Sequence, residues 1–332
     1  MKAGPARVLD SLRRAGGRTC SGAHLSQELG VSRAQVWKHV EALRALGYKI
    51  EAAAGDGYQL AETPDRLYAE EIQAGLATAW LAREIEWLES IDSTNRVALE
   101  RAREGVPHGS SIVAEGQTAG RGRLGRSFFS PPHLNLYTSI VLRPQLTTAE
   151  APALILASAV AVAETVAESV DDPEAVEIKW PNAVLLGGLK TSGILMELGA
   201  EATRISFLVL GIGVNLNVDR QSFPEEFRPL ATSLSSHTGR RVDRVDFARR
   251  LYQHLERVLD RCTAGGFAAV RPAFDARFRM TGRRVEVSEL GGASLAGTVL
   301  GIADDGTLRV RDDDGEERRV IAGDVTLAKG VA

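Results

Sequence analysis

Between Tyr68 and Gly282 the strand-like runs outnumber the helices that separate them. "EIEWLESI", "SIVAEGQ" and "NLYTSIVLR" precede the apolar helix "APALILASAVAVAETVAESV"; "VEIKWPNAVLL", "TSGILMELG" and "ISFLVLGIGVNLN" follow it. A doubly wound sheet needs a helix after each strand, so this irregular order predicts an α+β domain built on a mixed sheet. Glu164 and Pro152 interrupt the apolar run, which is short of the roughly 20 apolar residues of a membrane span, and it is read as a buried helix.

Two other patterns flank this segment. Before it, an amphipathic helix (about Ala6 to Ala15) stops at Gly16-Gly17, Ser21 can cap a second helix ending at Leu29-Gly30, and Ser32 a third running to Leu46. In the third, Val36, Val40, Leu43 and Leu46 recur on one face. The runs "YKIEA" and "GYQLA" then flank the turn "AAGDG", completing the order of a winged helix-turn-helix. After it, short alternating runs broken by "ADDG" and "DDDGEE" predict a small C-terminal β-barrel. The expected domains are 1–63, 64–282 and 283–332.

Charge decides where nucleic acid can bind. The whole chain of 332 residues carries a net charge of −3, which excludes a whole-molecule electrostatic grip. The first 62 residues hold nine cationic against six acidic side chains, so any DNA contact belongs there. Ser32, Arg33, Gln35 and Lys38, at the start of the third helix, are the candidate groove contacts; a helix-turn-helix used for protein contact is the alternative. Cys20 and Cys262 lie far apart without metal-ligand spacing, and the N-terminus has no apolar signal core, so a cytoplasmic, reducing setting is expected and neither a zinc site nor a membrane anchor.

The densest chemistry is "GQTAGRGRLGRSFFSP". Its glycines let backbone N–H groups approach a ligand, and Arg121, Arg123 and Arg126 present planar forks to carboxylates or phosphates. An RG-rich nucleic-acid tract would repeat; this segment occurs once, between strands, which favours a folded anion-binding loop. "IDSTN" places Ser93, Thr94 and Asn95 between a strand and a helix, where helix capping is the simplest use of such a tetrapeptide. "GIGVNLN" is a weak match to a dinucleotide fingerprint because its third glycine is absent.

Taken in order, "IDSTN", "GQTAGRGRLGRSFFSP", "NLYTSIVLRP", "KWPNAVLLGGLKTSGILMEL" and "GIGVNLN" resemble the motifs of biotin protein ligases, and the flanking domains resemble the bifunctional bacterial form that is also a biotin operon repressor. The resemblance implies a central domain like class II aminoacyl-tRNA synthetases and an SH3-like barrel. It implies that Ser93, Thr94, Asn95 and Gln117 surround the biotin head, and that Arg121, Gly122, Arg123, Lys190 and Gly193 meet its carboxylate or the adenylate phosphate. Arg123, Phe128, Lys179, Trp180, Asn182 and Asn215 would hold ATP, with Lys190, Arg123 and Arg121 catalytic. Biotin and ATP would be substrates and Mg²⁺ would ride on the phosphates. An apo biotin carboxyl carrier protein would be the acceptor, operator DNA a partner, and a homodimer the adenylate-bound state. Three positions depart from the family pattern: Ala183 where relatives have Asp, Phe128 for Trp, and His133 for a small residue. A biotin-sensing repressor without ligase activity and a lipoate-type acyl ligase share most of these residues.

Overall fold

The computed structural model describes residues 3–53, 57–201, 204–289 and 294–327. Its contacts divide the chain into two compact units that meet at Ala74 and Gly75.

The first unit contains α1 (Ala3–Arg14), α2 (Gly22–Leu29), α3 (Arg33–Ala45), the antiparallel pair β1 (Lys49–Ala53) and β2 (Gly57–Glu62), and α4 (Ala69–Gln73). Local chemistry sets the helix limits. The Ser21 hydroxyl accepts from His24 N and that of Ser32 from Gln35 N, while Gly30 ends α2 at φ 67°. Val8, Leu9, Leu12, Leu25, Val36, Val40 and Leu43 close into the core. Residues 54–56 of the expected turn lie outside the described residues. Beyond residue 63, α4 is tied back by buried Glu71, which pairs with Arg13 and accepts from the Tyr48 hydroxyl at 2.5 Å.

In the second unit a seven-stranded sheet runs in the order β3-β4-β5-β9-β8-β7-β6. Its strands are β3 (Ile85–Ile91), β4 (Ser111–Gln117), β5 (Leu136–Leu142), β6 (Val176–Lys179), β7 (Ala183–Leu186), β8 (Leu189–Glu201) and β9 (Arg204–Val214). The β3–β4 pair is parallel and the other pairings are antiparallel, which makes the sheet mixed. The run "VEIKWPNAVLL", read as one strand, is a hairpin: Pro181 has no N–H for a ladder, and the chain turns through Trp180–Asn182 between β6 and β7.

Helix α5 (Thr94–Glu104) covers Ile112, Val141 and Val209 with Val97, Ala98 and Ala102. The apolar run forms α6 (Pro152–Ala167), buried against β6–β8 and α8 (Arg244–Gly265), with α7 (Leu234–Thr238) and α9 (Arg271–Asp275) beside them in sequence. Sequence reading missed α8. Asp243 caps it by accepting from Val245 N and Asp246 N, and Phe247, Leu251, Leu255 and Cys262 form its buried stripe. Strands β10 (Arg284–Glu289), β11 (Ser294–Ile302), β12 (Leu308–Asp312), β13 (Glu317–Val320) and β14 (Gly323–Leu327) form a five-stranded antiparallel sheet around Val285, Val287, Val299 and Val310.

Candidate active site

Two adjoining hollows open over the middle of the large sheet. The inner one, about 50 Å³, is lined by Ser93, Thr94, Asn95, Gln117, Tyr137, Gly211 and Gly213; the outer, about 750 Å³, by Lys179, Asn215, Phe223, Phe227 and Asp324 among others. Gly122, Arg123, Phe128, Asn182 and Lys190 line both.

Beside Arg121, Arg123 and Lys190, the inner hollow carries a set of uncharged, directional hydrogen-bonding groups. Ser93 occupies the N-cap of α5 but makes no capping bond, so the simple capping reading of "IDSTN" is corrected: Thr94 and Asn95 turn instead toward neighbouring strands. Gln117 Oε1 accepts from Thr94 N at 2.9 Å and Thr94 Oγ1 at 3.1 Å, and its Nε2 donates to Ser130 Oγ at 3.0 Å, which fixes the amide's orientation. Ser139 Oγ donates to Asn95 Oδ1 at 2.6 Å and lies 2.8 Å from Thr94 Oγ1, while Asn95 Nδ2 donates to Glu197 at 2.9 Å. The glycines of "GIGVNLN" are the floor of this hollow, on β9, and not a phosphate loop. A Cβ at Gly211 would stand 2.0 Å from Asn95 Oδ1, and one at Gly213 2.6 Å from the Phe128 ring.

The outer hollow is positive. Lys190 is drawn below its ordinary lysine pKa first by burial and then by Lys179, with Asp324 opposing. Burial also lowers Lys179 and Arg123, again against Asp324. A cluster of cations kept from water, which outnumber the two carboxylates Glu226 and Asp324 beside them, is a site made for a polyanion.

The arginine loop is tied at three places. Arg121 pairs with Glu197 at 3.1 Å, Arg123 donates to Gly323 O at 3.2 Å, and Arg126 pairs with Asp324 at 2.6 Å. Two of these anchors belong to β14, so the C-terminal sheet forms one wall of the outer hollow.

Residues 87–215 match the Biotin/lipoate A/B protein ligase family, residues 6–59 an HTH domain and residues 281–327 the Biotin protein ligase C terminal domain. The chain is 34% identical over 320 residues to the bifunctional ligase/repressor BirA of Bacillus subtilis, covering 96% of this chain and 97% of that one. It belongs to the biotin protein ligase family. The Escherichia coli bifunctional ligase/repressor BirA is 32% identical, with 94% of each chain covered. Among solved structures, the biotin protein ligase of Aquifex aeolicus in complex with biotin and ATP superposes with a TM-score of 0.63 at 29% identity, covering 75% of this chain and all of that one.

The biotin protein ligase motifs thus converge on one place: Ser93, Thr94, Asn95, Gln117, Arg121, Gly122, Arg123, Phe128, Asn182, Lys190 and Gly193 all line the inner hollow, and Lys179 and Asn215 the outer. Trp180 stands apart from both linings. Its indole is 2% exposed and donates to Gly306 O at 3.0 Å, joining the β6–β7 turn to the C-terminal sheet. Trp180→Ala is therefore expected to cost about 3–5 kcal/mol of stability, read by urea denaturation. ATP affinity lost without loss of stability would instead place the indole on the nucleotide. Ala183 is buried on β7 opposite Gly193, and the carboxylates of the outer lining are Glu226 and Asp324. His133, at φ 62°, packs its ring nitrogens against Glu115 and Glu89, each at 3.3 Å.

Sequence reading overlooked Glu197, Ser139 and Asp324. The first two lie inside quoted motifs; Asp324 carried no local signal. In the helix-turn-helix unit, Ser32 uses its hydroxyl to cap α3 and Gln35 bonds His39 at 3.2 Å. Arg33 and Lys38 are exposed with no ion-pair partner among the described residues, and Trp37 is 53% exposed beside them.

Proposed function

We propose that this chain is an ATP-dependent biotin–[biotin carboxyl-carrier protein] ligase and a DNA-binding repressor that uses biotinyl-AMP as corepressor. One juxtaposition carries the ligase reading: a hollow with a set of uncharged hydrogen-bonding groups adjoins a larger cationic one, with Lys190 and Arg123 lining both. The ureido ring of biotin both donates and accepts, matching the Ser93, Thr94, Asn95 and Gln117 set. Its carboxylate then falls beside Lys190, and ATP takes the outer hollow.

In the first step a biotin carboxylate oxygen bonds to the α-phosphorus as the bond to pyrophosphate breaks, giving biotinyl-AMP. In the second, the ε-amine of a carrier lysine attacks the acyl carbon, AMP leaves with the bridging oxygen, and the amine's proton passes to solvent. Neither step needs a protein nucleophile; fixed cations that oppose gathering negative charge are sufficient. Arg121, Arg123 and Lys190 supply them. Among the described residues no group of three or more His, Cys, Asp or Glu side chains is placed to hold a metal, so Mg²⁺ would arrive on the phosphates, neutralising their charge with few protein ligands.

No helix of the described residues is long and apolar enough to cross a membrane, and a cytoplasmic protein meeting carrier and operator DNA fits the helix-turn-helix unit. The DNA contacts fall to the start of α3, at Arg33 and Lys38, and adenylate-dependent homodimerisation would set the operator's two-part form. Incubation with biotin, ATP and an apo carrier domain should add one biotin to the carrier by mass spectrometry. A carrier modified only when lipoate replaces biotin would assign the lipoate reading, and no modification by either acid would leave a repressor without ligase activity.

A further inference from the structure

Glu115 and Arg244 are both 0% exposed, and Arg244 is the largest fully buried side chain among the described residues. Neither touches a hollow, and the reaction uses neither. Such a pair is expensive to desolvate and adds little stability over an apolar pair of equal volume, so its retention at this spot calls for another account.

What the pair touches supplies one. Glu115 lies on β4 two residues before Gln117, hence on the same face of the strand, and β4 is where the arginine loop departs. The loop's return also converges on the pair. Arg244 Nη1 donates to Glu115 Oε2 at 2.9 Å and to the carbonyl of Asn135 at 3.3 Å, just ahead of β5. His133 meets Glu115 twice, through Nδ1 at 3.3 Å and through its backbone N–H to Glu115 O at 3.0 Å. One buried carboxylate and one buried guanidinium therefore hold both feet of a single loop.

The connection extends to the outer hollow. Asn135 Oδ1 accepts from Leu216 N at 2.8 Å, and its Nδ2 reaches Asn215 Oδ1 at 3.4 Å. Asn215 in turn lines the outer hollow.

We propose that Glu115 and Arg244 are positioning residues, a buried clamp that fixes both feet of the arginine loop and the setting of Asn215, and so determines how long the adenylate stays covered. The retention part rests on the ligase reading; the clamp itself does not. A guanidinium suits the role because a single terminal nitrogen carries two N–H groups, here directed to a carboxylate and a carbonyl.

The test is the charge-neutral pair Glu115→Gln/Arg244→Met in the full-length protein. Removing both charges leaves no uncompensated ion, so the variant is expected to fold. Hydrogen exchange at residues 118–131 in the ligand-free protein should accelerate about tenfold or more while β8 and β9 keep their protection, and preformed biotinyl-AMP should be released about tenfold faster. Wild-type exchange in the loop would overturn the clamp. Faster exchange with unchanged release would overturn its role in retention. A wild-type protein that forms no adenylate would refute the ligase reading and leave exchange to decide the clamp alone. Should the double variant not fold, His133→Gly decides: it relaxes a positive φ and cuts one link at a half-exposed position. Faster loop exchange in it supports the clamp, and unchanged exchange overturns it.

Discussion

Lys190→Met is expected to slow adenylate formation by about 10²–10³-fold, the scale of losing one preorganised charge-stabilising group. Biotin-dependent pyrophosphate exchange measures it. Lys190 lines both hollows, at the junction where the biotin carboxylate and the α-phosphate meet in the proposed reaction. Its ammonium is withdrawn from water beside Lys179, Arg123 and Arg126, with Asp324 the counter-charge. The same arrangement fixes the sign of two companion results. Burial and like charge lower the folded-state pKa of Lys190, so holding it charged at neutral pH opposes folding. Lys190→Met should accordingly keep or raise the melting temperature while removing activity, an exchange of stability for function common at binding sites. And since the protonated form is the active one, kcat/KM should fall as pH rises through a value below the ordinary lysine range. Less than a tenfold loss of exchange in a folded variant would refute the assignment.

What the sequence disclosed tracks how local each cause is. Ser21 and Ser32 cap α2 and α3 where the reading put them because an N-cap bond spans three residues. The motif residues of the inner hollow were legible as a set through their resemblance, although nothing in "IDSTN" alone says that its hydroxyls leave the helix cap for Gln117 and Ser139. Helix α8 was legible in principle, from Asp243 and the Phe247-Leu251-Leu255 spacing, and was passed over among the Arg-rich residues that share its exposed side. Order in the sheet was not legible. The β8–β9 pairing is local, but that β9 also lies against β5 is a pairing across a long separation, and no single strand's pattern encodes such a neighbour.

The least legible features join distant segments through one atom pair. Trp180 reads as part of a ligand motif, yet its indole N–H meets Gly306 in the C-terminal sheet. Asp324 stands in a polar tail and reaches Arg126 across the outer hollow. Ala183 shows the same limit from the other side. An expected carboxylate is absent from β7 at Ala183, which lines neither hollow, while Glu226 and Asp324 line the outer one from segments far along the chain. Loss at one motif position is therefore not equivalent to loss of negative charge at the site.

Arg123→Gly should still form biotinyl-AMP, more slowly, because Arg121 and Lys190 remain, and should release it about 10–100-fold faster, the range set by one or two charge-assisted hydrogen bonds to a phosphate. Arg123 faces both hollows and donates to a neutral carbonyl, Gly323 O, at 3.2 Å. A backbone carbonyl competes weakly with a phosphate, so Arg123 transfers to the adenylate at small cost. Arg121 and Arg126 are held differently, by the carboxylates of Glu197 and Asp324. Those two pairs can keep the loop in place while Arg123 engages the ligand. Removing Arg123 thus removes the grip and spares the loop, whereas Asp324→Asn loosens the loop and spares the grip. A chase experiment with radiolabelled biotin, started after adenylate has formed, distinguishes them: Arg123→Gly should shorten retention more than Asp324→Asn does, and the freed adenylate should hydrolyse in solution or acylate exposed lysines of bystander proteins. Retention in Arg123→Gly equal to that of wild type would show that Arg123 does not grip the intermediate.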